Sequence, residues 1–145
     1  MVITYKFGPR VRLAKVLTDL PLQPDTPIEF GVTQFCEKCK KCAQHCPAQA
    51  IHYGERTDKP FNISNNPGVL KWPVDAEKCL RFWVRNGSTC GNCIRVCPFN
   101  KKLGWLHDMV KWGVSNAPWL DSFFVWTDSW FGYDKAMRPE TFWAK

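Results

Sequence analysis

Four closely spaced cysteines set the strongest limit on what this chain can fold into. They are Cys36, Cys39, Cys42 and Cys46, and Pro47 follows the last of them. Three thiols two residues apart on a tight loop can face one centre, while the fourth, three residues further on, points away toward another. We therefore predict a metal-binding loop that serves two centres, with Pro47 in the first turn of a helix that continues through AQAI.

A second cysteine set supplies the complementary ligands. TCGNCIRVCP repeats the ending C-x2-C-x3-C-P with Cys90, Cys93 and Cys97, and Cys79 stands ten residues, LRFWVRNGST, before Cys90. The spacing is that of ferredoxins with two 4Fe-4S clusters, in which the last cysteine of each run binds the other cluster. This crossing rule assigns one cluster to Cys36, Cys39, Cys42 and Cys97, and the other to Cys46, Cys79, Cys90 and Cys93.

Zinc and disulfides explain the eight cysteines less well. Structural zinc sites use separated C-x2-C pairs and give no reason for a cysteine before proline in two places. Cysteines two residues apart in one loop rarely reach the geometry of a disulfide. The opening MVITYKFGPR has neither an apolar signal segment nor a twin arginine, so the chain as written is expected in the reducing cytoplasm.

Charge and hydropathy exclude some partners. The formal net charge is +7, which would suggest nucleic acid, but two oxidised clusters with their thiolates lower it to roughly +3. The basic residues are also scattered, so we expect solvated side chains or counter-charges to the clusters, and no nucleic-acid partner. No run of eighteen apolar residues is present, so no transmembrane segment is expected.

The chain divides into three parts. Residues 1–30 contain GPRVRLAKVLTDLPL, in which Val11, Leu13, Val16 and Leu17 indicate a short strand. Residues 31–101 form the cluster region. Residues 102–145 begin with KLGWLHDMVKWGV, where Leu103, Leu106 and Val110 predict an amphipathic helix, and continue into an aromatic tail. Neither end makes a self-contained unit, which is typical of part of a larger domain.

These segments closely resemble the C-terminal part of corrinoid-dependent reductive dehalogenases. The resemblance rests on GPRVRLAKVLTDLPLQPDTPIEFGVTQFCEKCKKCAQHCPAQAI, on KWPVDAEKCLRFWVRNGSTCGNCIRVCPFNK and on the tail ending PETFWAK. It implies an α+β fold, in which a ferredoxin-like unit with two 4Fe-4S clusters is flanked by segments that complete a nitroreductase-like, corrinoid-binding α/β domain. Residues 1–30 would then be the C-terminal remnant of that domain, and residues 102–145 would pack back onto it.

The resemblance also implies a function for the complete enzyme. Electrons would pass through the two clusters to the cobalt of a corrinoid (cobalamin), which removes halogen from an organohalide. An electron donor or membrane anchor subunit would hold the enzyme at the outer face of the cytoplasmic membrane during organohalide respiration. Because this chain lacks most of the corrinoid domain and a leader, we expect it to be the electron-relay part and not to perform the whole reaction alone.

Candidate catalytic and cofactor residues follow from the same resemblance. A tyrosine donates the proton in this family with the help of a basic residue, but Tyr5 lies at the extreme N-terminus and is not given that role. Arg10 and Arg12, just before TDLPL, are candidates for the basic partner, with exposed strand arginines as the alternative. Trp83 in LRFWVRNGST is a candidate for contact with substrate or corrinoid, with packing against the cluster loop as the alternative.

Two other functions stay open. Epoxyqueuosine reductases, which modify tRNA, share a TDLPL-like segment and the cysteine pattern, but the long aromatic tail disfavours them. A free-standing ferredoxin-type electron carrier would explain the cysteines, but it leaves GPRVRLAKVLTDLPL and the tail without a role.

Overall fold

The protein is described by a computed structural model that covers residues 2–26, 28–101 and 104–135. In these ranges six α-helices follow one another: α1 Val32–Cys39, α2 Lys41–Gln44, α3 Ala76–Asn86, α4 Asn92–Arg95, α5 Trp105–Asn116 and α6 Asp121–Trp130. A 3-10 turn, Pro118–Leu120, joins α5 to α6. Within the described ranges, β-pairing is limited to three isolated antiparallel bridges, which join Thr4 to Gly8, Ile51 to Val74 and Thr57 to Lys71.

The core forms where α1 packs against α5 and α6. It contains Phe30, Phe35, Phe99 and Val114 together with two of the cysteines, Cys39 and Cys97. The rings of Phe35 and Phe99 meet edge to face at 5.3 Å between centroids. The buried thiols therefore belong to the same apolar cluster that holds the helices together.

Two glycines let the backbone approach this core closely. Gly8, with φ of +59°, closes a turn with Thr4 and lies against the Phe99 carbonyl, and Gly31, with φ of +77°, lies against the Val114 carbonyl. A Cβ at either position would overlap that carbonyl, and positive φ already disfavours other residues. The N-terminal turn is thereby fixed onto the cluster region.

The prediction of a strand through Val11, Leu13, Val16 and Leu17 is wrong. Residues 11–19 have no regular secondary structure, and the side chain of Leu17 is 99% exposed. A strand forms only when a neighbouring strand satisfies its backbone groups, and the described residues pair none with this segment. Of the α+β expectation, the described residues show a mostly helical unit with little β-structure.

The prediction of a helix from Pro47 through AQAI is also wrong. The Gln49 amide donates to the Cys46 carbonyl at 3.0 Å, which closes a four-residue turn, and Gln49 has a φ of +48°. The fixed φ of proline suits the second position of a turn as well as the first turn of a helix. The left-handed conformation of Gln49 then prevents a helix.

The helix predicted from Leu106 and Val110 is present as α5. Val110 packs against the core, and Leu106 is mostly exposed, while Leu103 lies outside the described residues. No helix in the described ranges is both long enough and apolar enough to cross a bilayer.

Candidate iron-sulfur site

The two cysteine runs fold into matching loops. In α2 and in α4 the second residue is a cysteine, Cys42 or Cys93, and two residues after each helix comes Cys46 or Cys97. The turn after Cys97 repeats the turn after Cys46, since the Asn100 amide donates to the Cys97 carbonyl at 2.8 Å. The helices α2 and α4 contact each other. The repeat in sequence is therefore also a repeat in structure.

The first thiol group consists of Cys36, Cys39, Cys42 and Cys97. All four line one cavity of about 300 Å³. Its walls include Ile3 from the N-terminal turn, Phe35 and Phe99 from the core, and Trp72, whose indole N–H donates to the Gly54 carbonyl at 3.0 Å. The surroundings are mostly apolar, so a bound group there would be shielded from water.

Burial makes these thiols hard to ionise without a positive centre. It raises the pKa of Cys39 to about 11 and that of Cys97 to about 12. For Cys36 burial raises the pKa further, and the charges that Cys97, Cys39 and Cys42 would carry add to the effect. Cysteine binds iron as the thiolate, so four mutually repelling thiolates in this cavity fit a site that is completed by cations.

The second thiol group consists of Cys46, Cys79, Cys90 and Cys93. Burial raises the pKa of Cys79, and Cys46, Cys93 and Cys90 raise it further by charge repulsion. The pKa of Cys93 is raised by burial and by Cys90 and Cys46. All four thiols are partly exposed, and the sulfur of Cys46 accepts a hydrogen bond from the Ala50 amide at 3.3 Å.

The ten residues that separate Cys79 from Cys90 take the form of a helix and a short loop. The helix α3 begins before Cys79, where the carboxylate of Asp75 accepts from the Lys78 amide at 3.0 Å, and it ends at Gly87 in the left-handed conformation. Its start fits an N-cap and its end a glycine C-cap. The displaced cysteine is thus held near the capped end of a helix.

Four thiols share one cavity and the other four are linked by mutual charge effects, an arrangement compatible with the two ligand sets of the crossing rule, which stay a prediction. Cys42 lies on α2 and Cys93 on α4, two helices that contact each other, and the charge of Cys93 adds to the larger effect of burial in raising the pKa of Cys42. No three His, Cys, Asp or Glu side chains in the described part of the chain surround a single metal ion. A 4Fe-4S cluster binds one thiolate at each of four irons, so the donor sets fit two such clusters.

Acidic side chains from the aromatic tail reach the cluster loop, which sequence reasoning missed. Asp121 and Asp128 of α6 are buried and pair with Lys38 and Lys41 of the KCKK stretch. A spacing of seven places both carboxylates on one face of a helix, and that spacing was the available signal. The aromatic residues Phe123, Trp126 and Trp130 are exposed instead.

The remaining candidates lie away from the thiols or at the surface. The guanidinium of Arg10 donates to the Lys101 carbonyl at 3.1 Å and is exposed, as is Arg12. Trp83 lies on α3 with 36% of its surface exposed. The ring of Tyr5 meets Phe30 edge to face at 5.4 Å. None of these contacts assigns a catalytic role.

Comparisons with known proteins agree with the cysteine pattern. Residues 35–100 match the family described as 4Fe-4S double cluster binding domain. Tetrachloroethene reductive dehalogenase of Sulfurospirillum multivorans is 50% identical over 131 residues, which are 90% of this chain and 26% of that protein. The enzyme of the same name from Desulfitobacterium hafniense is 47% identical over 97% of this chain and 26% of that protein.

A solved structure extends the likeness to three dimensions. It is described as "Reductive dehalogenase structure suggests a mechanism for B12-dependent dehalogenation" and superposes with a TM-score of 0.71 at 30% identity, over 81% of this chain and 16% of that one. Epoxyqueuosine reductase of Bacillus subtilis (strain 168) is more distant, with 29% identity over 70% of this chain and 25% of that protein. The chain spans about a quarter of the length of the curated relatives it matches.

Proposed function

The chain is a relative of the reductive dehalogenases that carries their two-cluster iron–sulfur part, and we propose that it is the electron-relay part of such an enzyme. In the complete enzyme electrons would pass through two 4Fe-4S clusters to a corrinoid cobalt, which removes halogen from an organohalide. The observation that carries this proposal is that Cys36, Cys39, Cys42 and Cys97 line one apolar cavity, while the second cysteine run, on α4, contacts α2.

The proposed ligands are Cys36, Cys39, Cys42 and Cys97 for the first cluster, and Cys46, Cys79, Cys90 and Cys93 for the second. When bound, the clusters supply one-electron redox chemistry, and the corrinoid of the complete enzyme supplies the carbon–halogen chemistry. The protein orients the thiolates and excludes water from the first site through Phe35, Phe99 and Trp72. The contact between α2, which carries Cys42, and α4, which carries Cys93, supports a short path between the two sites.

The inverted polarity of α6 supports the proposed division of the chain. Most surface helices turn their charges to water, whereas α6 buries two aspartates and exposes Phe123, Trp126 and Trp130. An aromatic patch of this kind marks a contact surface. We therefore propose that residues 102–145 pack on the corrinoid domain, which residues 1–30 help to complete, while residues 31–101 form the ferredoxin-like unit.

Arg10, Arg12 and Trp83 remain proposed participants in the complete enzyme. Exposure leaves the two arginines available to a neighbouring domain, where one would assist the proton-donating tyrosine. Trp83 lies on α3, four residues after Cys79 of the second thiol group, and we propose that it contacts corrinoid or substrate.

The substrate and the location of the complete enzyme are proposals drawn from its relatives. Two of them are named for tetrachloroethene, which makes a chlorinated ethene the first organohalide to test. The nitroreductase-like character of the corrinoid domain is likewise carried over from the family resemblance. So is attachment to the outer face of the cytoplasmic membrane through an electron donor or anchor subunit.

An anaerobic reconstitution tests the relay function. The chain is loaded with iron and sulfide, and we expect about eight iron atoms per chain, as two 4Fe-4S clusters require. The chemically reduced, desalted chain is then mixed with cobalamin, and reduction of the corrinoid is followed by visible absorption. The chain kept free of iron is the control, and it should transfer no electrons.

Two results would overturn the proposal. One is a chain that takes up zinc in place of iron and forms no clusters. The other is a chain with both clusters intact that gives no electrons to cobalamin. A base-off spectrum of bound cobalamin would show in addition that these residues retain part of the corrinoid site, whereas its absence would leave the relay role unchanged.

A further inference from the structure

A buried group of opposite charges lies beside the first thiol group. The Asp128 carboxylate accepts from Lys41 Nζ at 2.6 Å through one oxygen and from Lys101 Nζ at 2.9 Å through the other. Only 3% of the Lys41 side chain and 9% of the Asp128 side chain are exposed. We call Lys41, Asp128 and Lys101 the charge triad.

Chain connectivity ties the triad to the proposed cluster ligands. Lys41 lies between Cys39 and Cys42, and Lys101 follows Cys97 by four residues. The Lys41 backbone N–H and its ammonium both lower the pKa of Cys39 against the larger effect of burial, whereas Asp128 raises it. Lys101 lowers the pKa of Cys97 in the same way. The Cys79 and Cys93 thiols of the second group are not shifted by any triad member.

Stability alone does not explain a buried ion pair of this kind. Removing two charges from water costs free energy that their attraction repays only with very good geometry, and apolar residues often serve as well. The triad instead places fixed charges where a cluster would change its charge by one on each electron transfer. Local charge and hydrogen bonds to the sulfurs are the features that set a cluster's reduction potential.

We infer that the charge triad sets the reduction potential of the cluster held by Cys36, Cys39, Cys42 and Cys97, and thereby separates it from the potential of the second cluster. The inference rests on the proposed two-cluster function and deepens it. The two ammonium groups favour the reduced, more negative cluster, and the Asp128 carboxylate opposes them. Asp134, whose carboxylate lies 3.8 Å from Lys41 Nζ, adds a weaker opposing charge.

The sign of each effect is fixed by the charge that is removed. The substitutions Lys41→Gln and Lys101→Gln each remove a positive charge, so one of the two reduction steps should move to a more negative potential. The substitution Asp128→Asn removes a negative charge with almost no change in shape, so the same step should move to a more positive potential. Lys41→Arg keeps the charge and should restore the wild-type value.

The experiment is a redox titration of the reconstituted chain, followed by electron paramagnetic resonance. Lys38→Gln is the matched control, because Lys38 also joins the cluster loop to α6, through Asp121 at 3.3 Å and the Pro118 carbonyl at 2.6 Å. Its charge is screened by water, because 40% of the Lys38 side chain is exposed, against 3% of Lys41. In the Lys38→Gln chain both reduction steps should keep their wild-type potentials, even if the stability of the chain is lower.

Several outcomes would overturn the inference. Shifts in the same direction for the lysine and Asp128→Asn variants would indicate a structural role, as would equal shifts of both steps or no shift at all. If the lysine variants fail to take up iron, the Asp128→Asn variant alone tests the inference. Its reduction step must then move to a more positive potential. If the unaltered chain forms no clusters, the proposed function fails instead, so the two failures are distinguishable.

Discussion

The two thiol groups differ in how much of their surroundings this chain supplies. The first lies in an apolar cavity against Phe35 and Phe99, inside the core that α1, α5 and α6 build. The second lies on α3, on α4 and in loops, its four thiols are partly exposed, and α3 has no buried residue. The same ligand pattern is therefore set once partly into a core, with two of its four thiols buried, and once onto a surface.

This difference indicates what holds each site together. Packing of the core can keep the first group near its folded arrangement, because Cys39 and Cys97 are themselves core residues. The second group has little apolar burial, so cluster binding must supply most of the free energy that orders α3 and α4. We expect the second site to be the first to open when either metal or local support is lost.

Removal of iron should have the largest effect, and it tests whether the two sites depend differently on their clusters. Without clusters we expect α3 and α4 to unfold, since the free energy of metal binding is also free energy of folding, while the core around the first group keeps part of its structure. Circular dichroism should lose helix signal, and hydrogen exchange should show α3 and α4 unprotected while α5 keeps partial protection. Reconstitution with iron and sulfide is the control. An apo chain that melts as cooperatively as the holo chain would contradict this prediction.

Substitution of single cysteine ligands should show how differently the chain supports the two sites. Cys97→Ser and Cys90→Ser should each lower the iron content from about eight to about four atoms per chain. Only Cys97→Ser should also lower the melting temperature strongly, because it leaves a polar, unliganded group inside the core. Iron analysis and thermal melts make the measurement, with Thr89→Ala beside Cys90 as the control. Equal melting temperatures for the two cysteine variants would show that the sites are supported alike.

The sequence predicts two ligand sets because the spacing of cysteines along a chain limits which of them can meet, and the cavity shared by Cys36, Cys39, Cys42 and Cys97 is compatible with the first set. It did not predict the turn after Cys46, since proline fits a turn and a helix start equally well. The strand through Leu13 and Val16 was wrong because alternation alone cannot show whether a partner strand exists. The missing information was the left-handed conformation of Gln49 in the first case and, in the second, the lack of a partner strand among the described residues.

The aromatic tail shows a similar limit of sequence patterns, here for the placement of charged residues. In the sequence, Asp121 and Asp128 interrupt an aromatic, apolar stretch. In the folded chain they are the buried residues of α6. Their partners, Lys38 and Lys41, are more than eighty positions away, at sequence separations of 83 for the first pair and 87 for the second. Hydrophobic patterning assigns charges to the surface, so it cannot find a helix that turns its charges inward toward a cluster loop.

The smallest effect is expected at the N-terminus of α3, where one side chain supports the second site. Asp75 caps the helix through the Lys78 amide and also accepts from Asn62 Nδ2 at 3.2 Å. Asp75→Ala should lower the free energy of unfolding by about 0.5 to 2 kcal/mol, the usual cost of a lost cap. Glu77→Ala in the same helical turn is the control, since its exposed ion pair with Arg81 at 3.9 Å contributes little.

A chelator separates this local effect from a general loss of stability. Cys79 lies in the first turns of α3, so fraying of the helix should release iron from the second cluster faster and leave the first cluster unchanged. The measurement is the rate of the two phases of iron loss in the Asp75→Ala chain. If both phases accelerate equally, the two sites share one cooperative structure, and the contrast between a core site and a surface site is wrong.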